Sequence, residues 1–130
     1  MITGANDTLL YEAEGYALMG AAFEVYNHLG AGFLEAVYQE AIELELAARR
    51  IPFISKPHLQ VVFKEQLLKK HYEADLLVHA EIVVELKAVR AIAPEHEAQL
   101  LNELRATRKR VGYLINFGAA PRLQWSRRVV

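Results

Sequence analysis

Three charged residues lie in two otherwise apolar segments near the middle of the chain. The stretch EADLLVHAEIVVELKAV covers residues 73–89 and carries Asp75, Glu85 and Lys87. Because side chains alternate along a strand, Glu85 and Lys87 share one face and Leu86 points to the other. IVVELKAV is otherwise typical of a strand covered on both faces, where a charge is costly without a purpose. The three residues therefore indicate a candidate site.

The length of the loop between the two segments decides whether the carboxylates meet. A three-residue loop, His79 to Glu81, predicts Asp75 directly opposite Glu85, with Cβ atoms roughly 5 Å apart. A two-residue turn predicts Val84 opposite Asp75 instead, and a bulge allows either register.

Two carboxylates that close repel each other unless a positive charge lies between them or one takes a proton. Oxygen ligands on a sheet suit Mg²⁺ or Mn²⁺, which keep several waters and accept phosphate oxygens. A lysine beside them can orient water or stabilise a transition state. Asp75 followed by Glu85-x-Lys87 is thus the outline of a metal-dependent phosphodiesterase centre. The alternative is a solvated sheet face on which Glu85 and Lys87 merely pair.

The elements around these residues predict one α/β domain over residues 1–130. A helix capped by Asp7 or Thr8 is expected to run to about Leu29, and a second from about Phe33 to Arg50. Three strands follow, a third helix begins at Pro94, and two further strands close the chain. The predicted strands cover residues 59–64, 67–78, 81–89, 111–117 and 123–130. The order ααβββαββ indicates a mixed β-sheet flanked by helices.

Composition excludes several classes of protein. The 15 basic and 16 acidic residues give a net charge of −1, so any nucleic-acid contact must come from local patches. The chain has no cysteine, which excludes disulfides and thiolate metal sites. We expect neither a signal peptide nor a membrane span, and we predict a cytoplasmic protein.

A second motif, GAGFLEAVY at residues 30–38, contains Gly32-x-x-Glu35-x-x-Tyr38. It resembles the signature of the GxxExxY protein family, a group placed in the PD-(D/E)XK nuclease superfamily. The similarity extends through ADLLV, IVVELKAV, EAQLLNELRAT and VGYLINFG to the closing RRVV. It implies a restriction-endonuclease-like core, in agreement with the order of elements above.

The resemblance also implies a set of site residues. Asp75, Glu85 and Lys87 would form the nuclease motif, and the backbone carbonyl of Leu86 would be a further metal ligand. Glu35 would complete the acidic cluster from the second helix. Its alternative role, at position N3 counted from Gly32, is to favour the helix N-terminus.

Other residues of the similar blocks have supporting roles or depart from the pattern. Gln99 fits the Gln-x-x-x-Tyr pattern of exonuclease-like relatives, whereas Glu103 replaces the tyrosine. Tyr38 lies one turn after Glu35, where it either supports that residue or packs, and packing is favoured. Ala74 stands where the name of the superfamily has proline.

A basic cluster ends the third helix. It contains Arg105, Arg108, Lys109 and Arg110. These residues can follow a phosphate backbone, or they can cap the helix and solvate its end.

The combined hypothesis is a Mg²⁺- or Mn²⁺-dependent nuclease that acts on DNA, or less favourably on RNA. Its expected partner is nucleic acid, with no membrane and with a homodimer as an open expectation. One alternative is a nucleic-acid-binding or scaffolding module that keeps the fold without turnover. Another is hydrolysis of a smaller phosphodiester.

Overall fold

The computed structural model describes residues 10–130, which form three helices and seven strands. The helices are α1 (Glu12–Leu29), α2 (Glu35–Ala48) and α3 (Pro94–Thr107). The strands are β1 (Phe53–Ser55), β2 (His58–Phe63), β3 (Gln66–Glu73), β4 (Leu76–Val78), β5 (Ile82–Lys87), β6 (Val111–Asn116) and β7 (Gln124–Val129). The predicted cap at Asp7 or Thr8 lies outside the described residues.

Each helix follows from the spacing of its apolar residues. In α1 the buried Leu18, Ala22 and Val25 recur at intervals of four and three. In α2 the buried residues follow one another at intervals of four, at Tyr38, Ile42 and Leu46. Helix α3 begins at Pro94, whose fixed φ suits the first helical position. No helix in residues 10–130 is long and apolar enough to cross a bilayer.

Five strands form the main sheet in the order β1-β4-β5-β6-β7. Strands β5 and β6 are parallel and are joined through α3, whereas the other three pairings are antiparallel. The remaining strands, β2 and β3, pair with each other in a separate hairpin. The predicted class, a mixed sheet flanked by helices, is confirmed.

The strand prediction for residues 67–78 was wrong in one respect. The stretch forms two strands, β3 and β4, which lie in different sheets. Residues 74 and 75 form the crossing between these two strands, and backbone hydrogen bonds hold it in place. The Lys56 N–H donates to the Asp75 carbonyl, and the Ala74 N–H donates to the Pro57 carbonyl. Strand β1 was also missed, because Pro52 and Pro57 flank its three residues. The observed order is ααβββββαββ.

The sheet separates two hydrophobic cores. Helices α1 and α2 pack on one face with Leu76, Val84 and Leu86. On the other face α3 packs with Leu59, Leu77 and Val83 beneath the β2–β3 hairpin. Glu85 and Lys87 alternate with residues of the first core, so they point into the layer that contains α3.

Candidate active site

Asp75 lies in the crossing between β3 and β4 and is 9% exposed. Its Oδ2 accepts a hydrogen bond from the Leu86 N–H at 2.7 Å. Its Oδ1 lies 2.7 Å from the Lys56 Nζ. Both carboxyl oxygens are therefore held in place, one by the backbone of β5 and one by a lysine.

The register of β4 and β5 puts Asp75 beside Glu85. Leu76 pairs with Val84 and Val78 with Ile82, which leaves His79 to Glu81 as a three-residue loop. His79 and Ala80 both have positive φ, at 53° and 62°. Continuing the register by one residue sets Asp75 opposite Glu85, the alternative in which the two carboxylates meet.

Glu85 has a second acidic neighbour, Glu103 from α3. Burial, together with the nearby Glu103 and Asp75 carboxyl groups, raises the pKa of Glu85 to about 10. Glu85 Oε2 and Glu103 Oε1 are buried without a hydrogen-bond partner. The Glu85 carboxyl is therefore protonated at neutral pH when no cation is bound.

Glu85 lines a small cavity of about 110 Å³ between α3, β5 and β3. The other lining residues are Tyr72, Glu73, Lys87, His96, Gln99, Leu100, Glu103 and Leu114. The cavity thus brings together three residues singled out from the sequence, Glu85, Lys87 and Gln99. Its volume suits an ion and a few waters rather than a whole nucleotide.

Lys56 is a site residue that sequence reasoning missed. It lies between β1 and β2 in a left-handed conformation, with φ 51°. The hydrogen bond with the Asp75 carboxylate raises the pKa of Lys56, although burial opposes the shift. No local pattern marks this residue, because only the pairing of β1 with β4 brings it beside Asp75.

Glu35 lies at the rim, outside the cavity that Glu85 lines. It is exposed and borders a neighbouring depression together with Lys56, Gln39 and Glu43. Helix α2 has Leu34 as its N-cap, so Glu35 occupies N1 rather than the expected N3. The electrostatic attraction between Glu35 and Lys56 is one of the contributions that raise the pKa of that lysine.

Tyr38 packs and also shapes the loop that presents Glu35. Its side chain is fully buried and stacks on Phe117 with ring centroids 4.7 Å apart. The hydroxyl donates to the Gly30 carbonyl and accepts from the Phe33 N–H. Tyr38 therefore ties down the Gly30–Leu34 loop, in which Gly32 has a φ of 112°.

The Leu86 carbonyl faces the edge of β5 on which Asp75 lies. In a strand the N–H and C=O of one residue point to the same side, and the Leu86 N–H donates to Asp75. The next carbonyl, that of Lys87, points to the opposite side and accepts from the Phe117 N–H. Leu86 is thus oriented to offer an oxygen near Asp75.

The basic cluster lies away from the candidate site residues Asp75 and Glu85. Val111 pairs with Ile82 at the start of β5, five residues before Lys87, a separation of roughly 16 Å. Arg108 pairs with Glu65, Lys109 lies 3.8 Å from Glu81, and Arg110 donates to the Val130 carbonyl. Arg105 is exposed on the last turn of α3. Nucleic-acid contact by these four residues stays a prediction.

The donor chemistry of the site fits a hard divalent cation. All the candidate ligands are oxygen atoms, and two buried carboxyl oxygens lack a partner that a cation would supply. Within residues 10–130 no group of three or more His, Cys, Asp or Glu side chains is arranged to hold a metal ion. A cation here would therefore be bound by few carboxylates together with waters and substrate oxygens, as is usual for Mg²⁺.

The burial of Glu103 has a signal in the sequence. It lies between Leu100 and Leu104 at helical spacing and is 4% exposed on the face of α3 that packs on the sheet. A glutamate in that apolar row indicates a buried carboxyl group.

Comparison with known proteins identifies the family of this chain. The family model described as the PD-(D/E)XK nuclease superfamily matches residues 12–128. No protein with curated annotation matches the sequence. The crystal structure of SSO0001 superposes with a TM-score of 0.57 at 18% identity. The alignment covers 92% of this chain and 59% of the other one, and at 18% identity the likeness concerns the fold alone. The match over nearly the whole length shows that this chain belongs to the PD-(D/E)XK nuclease superfamily.

Proposed function

We propose that this protein is a divalent-cation-dependent nuclease that hydrolyses phosphodiester bonds in DNA or, as a second choice, in RNA. One observation carries the proposal: the register of β4 and β5, continued by one residue, sets Asp75 opposite Glu85 in a chain of this superfamily, with Lys87 on the same face of β5 as Glu85. Membership of the superfamily supports nuclease-type chemistry, and the site residues support its location.

Asp75 and Glu85 would hold Mg²⁺ or Mn²⁺, with the Leu86 carbonyl beside them and Glu35 at the rim. When bound, the cation would lower the pKa of a water and offset charge on the scissile phosphate. The Leu86 N–H fixes the orientation of the Asp75 carboxylate. Glu85 has to give up its proton before it can bind a cation.

Lys87 and Gln99 complete the proposed site from β5 and α3. The Lys87 ammonium shares the cavity with Glu85, where it can orient the attacking water and stabilise negative charge on the phosphate. Gln99 is exposed at the same cavity and can donate or accept a hydrogen bond at its rim. A duplex has two strands to cut and a homodimer would present two such sites, so we propose a homodimer for that substrate.

A specific observation favours a second function, a nucleic-acid-binding module without turnover. Lys56 and the Leu86 N–H already engage both oxygens of Asp75. A lysine in that place neutralises the carboxylate without a metal ion. If Lys56 cannot be displaced, Asp75 is unable to bind a cation and the fold serves binding alone.

A cleavage assay separates the two functions. End-labelled single- and double-stranded DNA and RNA are incubated with the full chain in Mg²⁺, in Mn²⁺ and in chelator, alongside a filter-binding assay. The nuclease predicts products in Mg²⁺ or Mn²⁺ and none in chelator. Tight binding of an uncleaved substrate in both cations would instead favour the module.

A further inference from the structure

The carboxyl group of Glu103 is buried, and the side chain that faces it within hydrogen-bonding range is another acid, Glu85. The residue is 4% exposed, and its Oε1 has no partner. Its backbone carbonyl accepts a hydrogen bond from the Thr107 hydroxyl, but that bond does not involve the side chain. Glutamate is rarely buried to this degree unless it is paired.

The groups around Glu103 do not supply the missing positive charge. Its neighbour across the cavity is Glu85, which is itself acidic and has an unpartnered oxygen. Glu73 from β3 lines the same cavity, against Lys87 from β5 and His96 from α3. The Lys56 ammonium is bound to Asp75 instead. Carboxyl groups therefore outnumber lysines around this cavity.

A purely structural role does not account for a carboxylate at this position. Leu100 and Leu104 on the same face of α3 pack into the second core, and an apolar residue at position 103 would extend that packing. Two carboxyl groups buried side by side cost stability unless a proton or a cation lies between them. The cost is offset once a cation is bound.

We propose that Glu103 is a ligand of the divalent cation and shares it with Glu85. The proposal rests on the cation site of the proposed function and adds to it an oxygen donor from α3. The two buried oxygens without partners, Glu85 Oε2 and Glu103 Oε1, are the atoms that the cation would satisfy. Mg²⁺ keeps several waters in most protein sites, so positions remain for water and for a phosphate oxygen.

Direct titration with Mn²⁺ tests this assignment without any nucleic acid. The full chain is titrated by calorimetry as the wild type, as Glu103→Gln and as Glu95→Gln. Glu95 is an exposed acidic residue in the first turn of the same helix, so its variant is a matched control for the change of charge. Loss of groups that only support a metal ligand costs about 10–100-fold in affinity. We expect Glu103→Gln to weaken Mn²⁺ binding by roughly tenfold or more, and Glu95→Gln to leave it unchanged.

A second variant covers the case in which Glu103→Gln does not fold, as judged by circular dichroism. Glu103→Asp keeps the charge but withdraws the carboxyl group by one methylene, and it should also bind Mn²⁺ more weakly. Wild-type affinity in a folded Glu103→Gln or Glu103→Asp would overturn the assignment. So would a wild-type chain that binds no Mn²⁺.

Failure of this inference is distinguishable from failure of the proposed function. Mn²⁺ binding that depends on Glu103, in a chain that cleaves no nucleic acid, would refute the nuclease and support the ligand. If cleavage depends on Lys87 but the affinity for Mn²⁺ does not change when Glu103 is substituted, only the assignment of Glu103 as a ligand is refuted.

Discussion

The charges of β5 are explained at the scale of single residues by the alternation of a strand. Leu86 is fully buried against α1 and α2, whereas Glu85 and Lys87 on either side of it line the cavity beneath α3. One short apolar strand therefore carries both a core residue and two candidate site residues. Sequence reasoning reached this arrangement because a period of two is readable from the residues alone.

Glu85 should make the stability of the cation-free protein depend on pH. Its pKa is about 10 in the folded chain against an ordinary value of 4.5, so between these limits the folded state binds the extra proton. The stabilisation is complete below pH 4.5 and lost as the pH rises to about 10. We expect the free energy of unfolding to fall with rising pH, by up to about 1.4 kcal/mol per pH unit.

Urea unfolding in chelator from about pH 6 to about pH 8 measures this slope. Glu85→Gln has the same shape without the titrating group, and its slope should be flatter than that of the wild type. Parallel pH profiles for the two proteins would show that Glu85 is ionised in the fold.

At the scale of elements, the position of α1 on the sheet depends on Gly15. A Cβ at this position would lie 2.0 Å from the Tyr113 hydroxyl oxygen and 2.8 Å from the adjacent ring carbon. Alanine favours an isolated helix over glycine by about 1 kcal/mol, but overpacking of a core costs about 1–3 kcal/mol. Gly15→Ala should therefore lower the free energy of unfolding, measured by urea denaturation.

Gly20 in the same helix is the matched control. A Cβ there would meet only the Arg49 Nη1 at 3.1 Å, the end of a flexible side chain. Gly20→Ala should leave stability unchanged or raise it by up to about 1 kcal/mol. Adding Tyr113→Phe to Gly15→Ala should recover part of the loss, since it removes the nearer atom. Equal effects of the two glycine variants would contradict this packing.

Some features of the helices and strands could be predicted from the sequence, and others could not. The three helices and the parallel pairing of β5 with β6 follow from periodicity and from the β-α-β order. The break at Ala74–Asp75 does not: Glu, Ala and Asp are uncommon in strands, but the place where the chain leaves one sheet for the other is set by contacts with Lys56, Pro57 and Gln39. Local patterns do not contain such long-range bonds.

At the scale of the whole molecule, the candidate site is assembled from distant parts of the chain. Lys56 comes from the β1–β2 turn, Asp75 from the crossing, Glu85 and Lys87 from β5, and Glu103 from α3. The sequence motifs were sufficient to nominate Asp75, Glu85 and Lys87. Lys56 and the Glu85–Glu103 contact depend on which elements pack together, and that information exists only in the complete fold.

The role of Lys87 provides the most direct test of the proposed nuclease. Single-turnover cleavage in Mg²⁺ is measured for the wild type, for Lys87→Ala and for Lys69→Ala, an exposed lysine of β3. Removing one group that stabilises developing charge typically slows a reaction by about 10²–10³-fold. We predict a loss of that size for Lys87→Ala and a rate within about twofold of the wild type for Lys69→Ala. Cleavage by Lys87→Ala at the wild-type rate would contradict the proposed site.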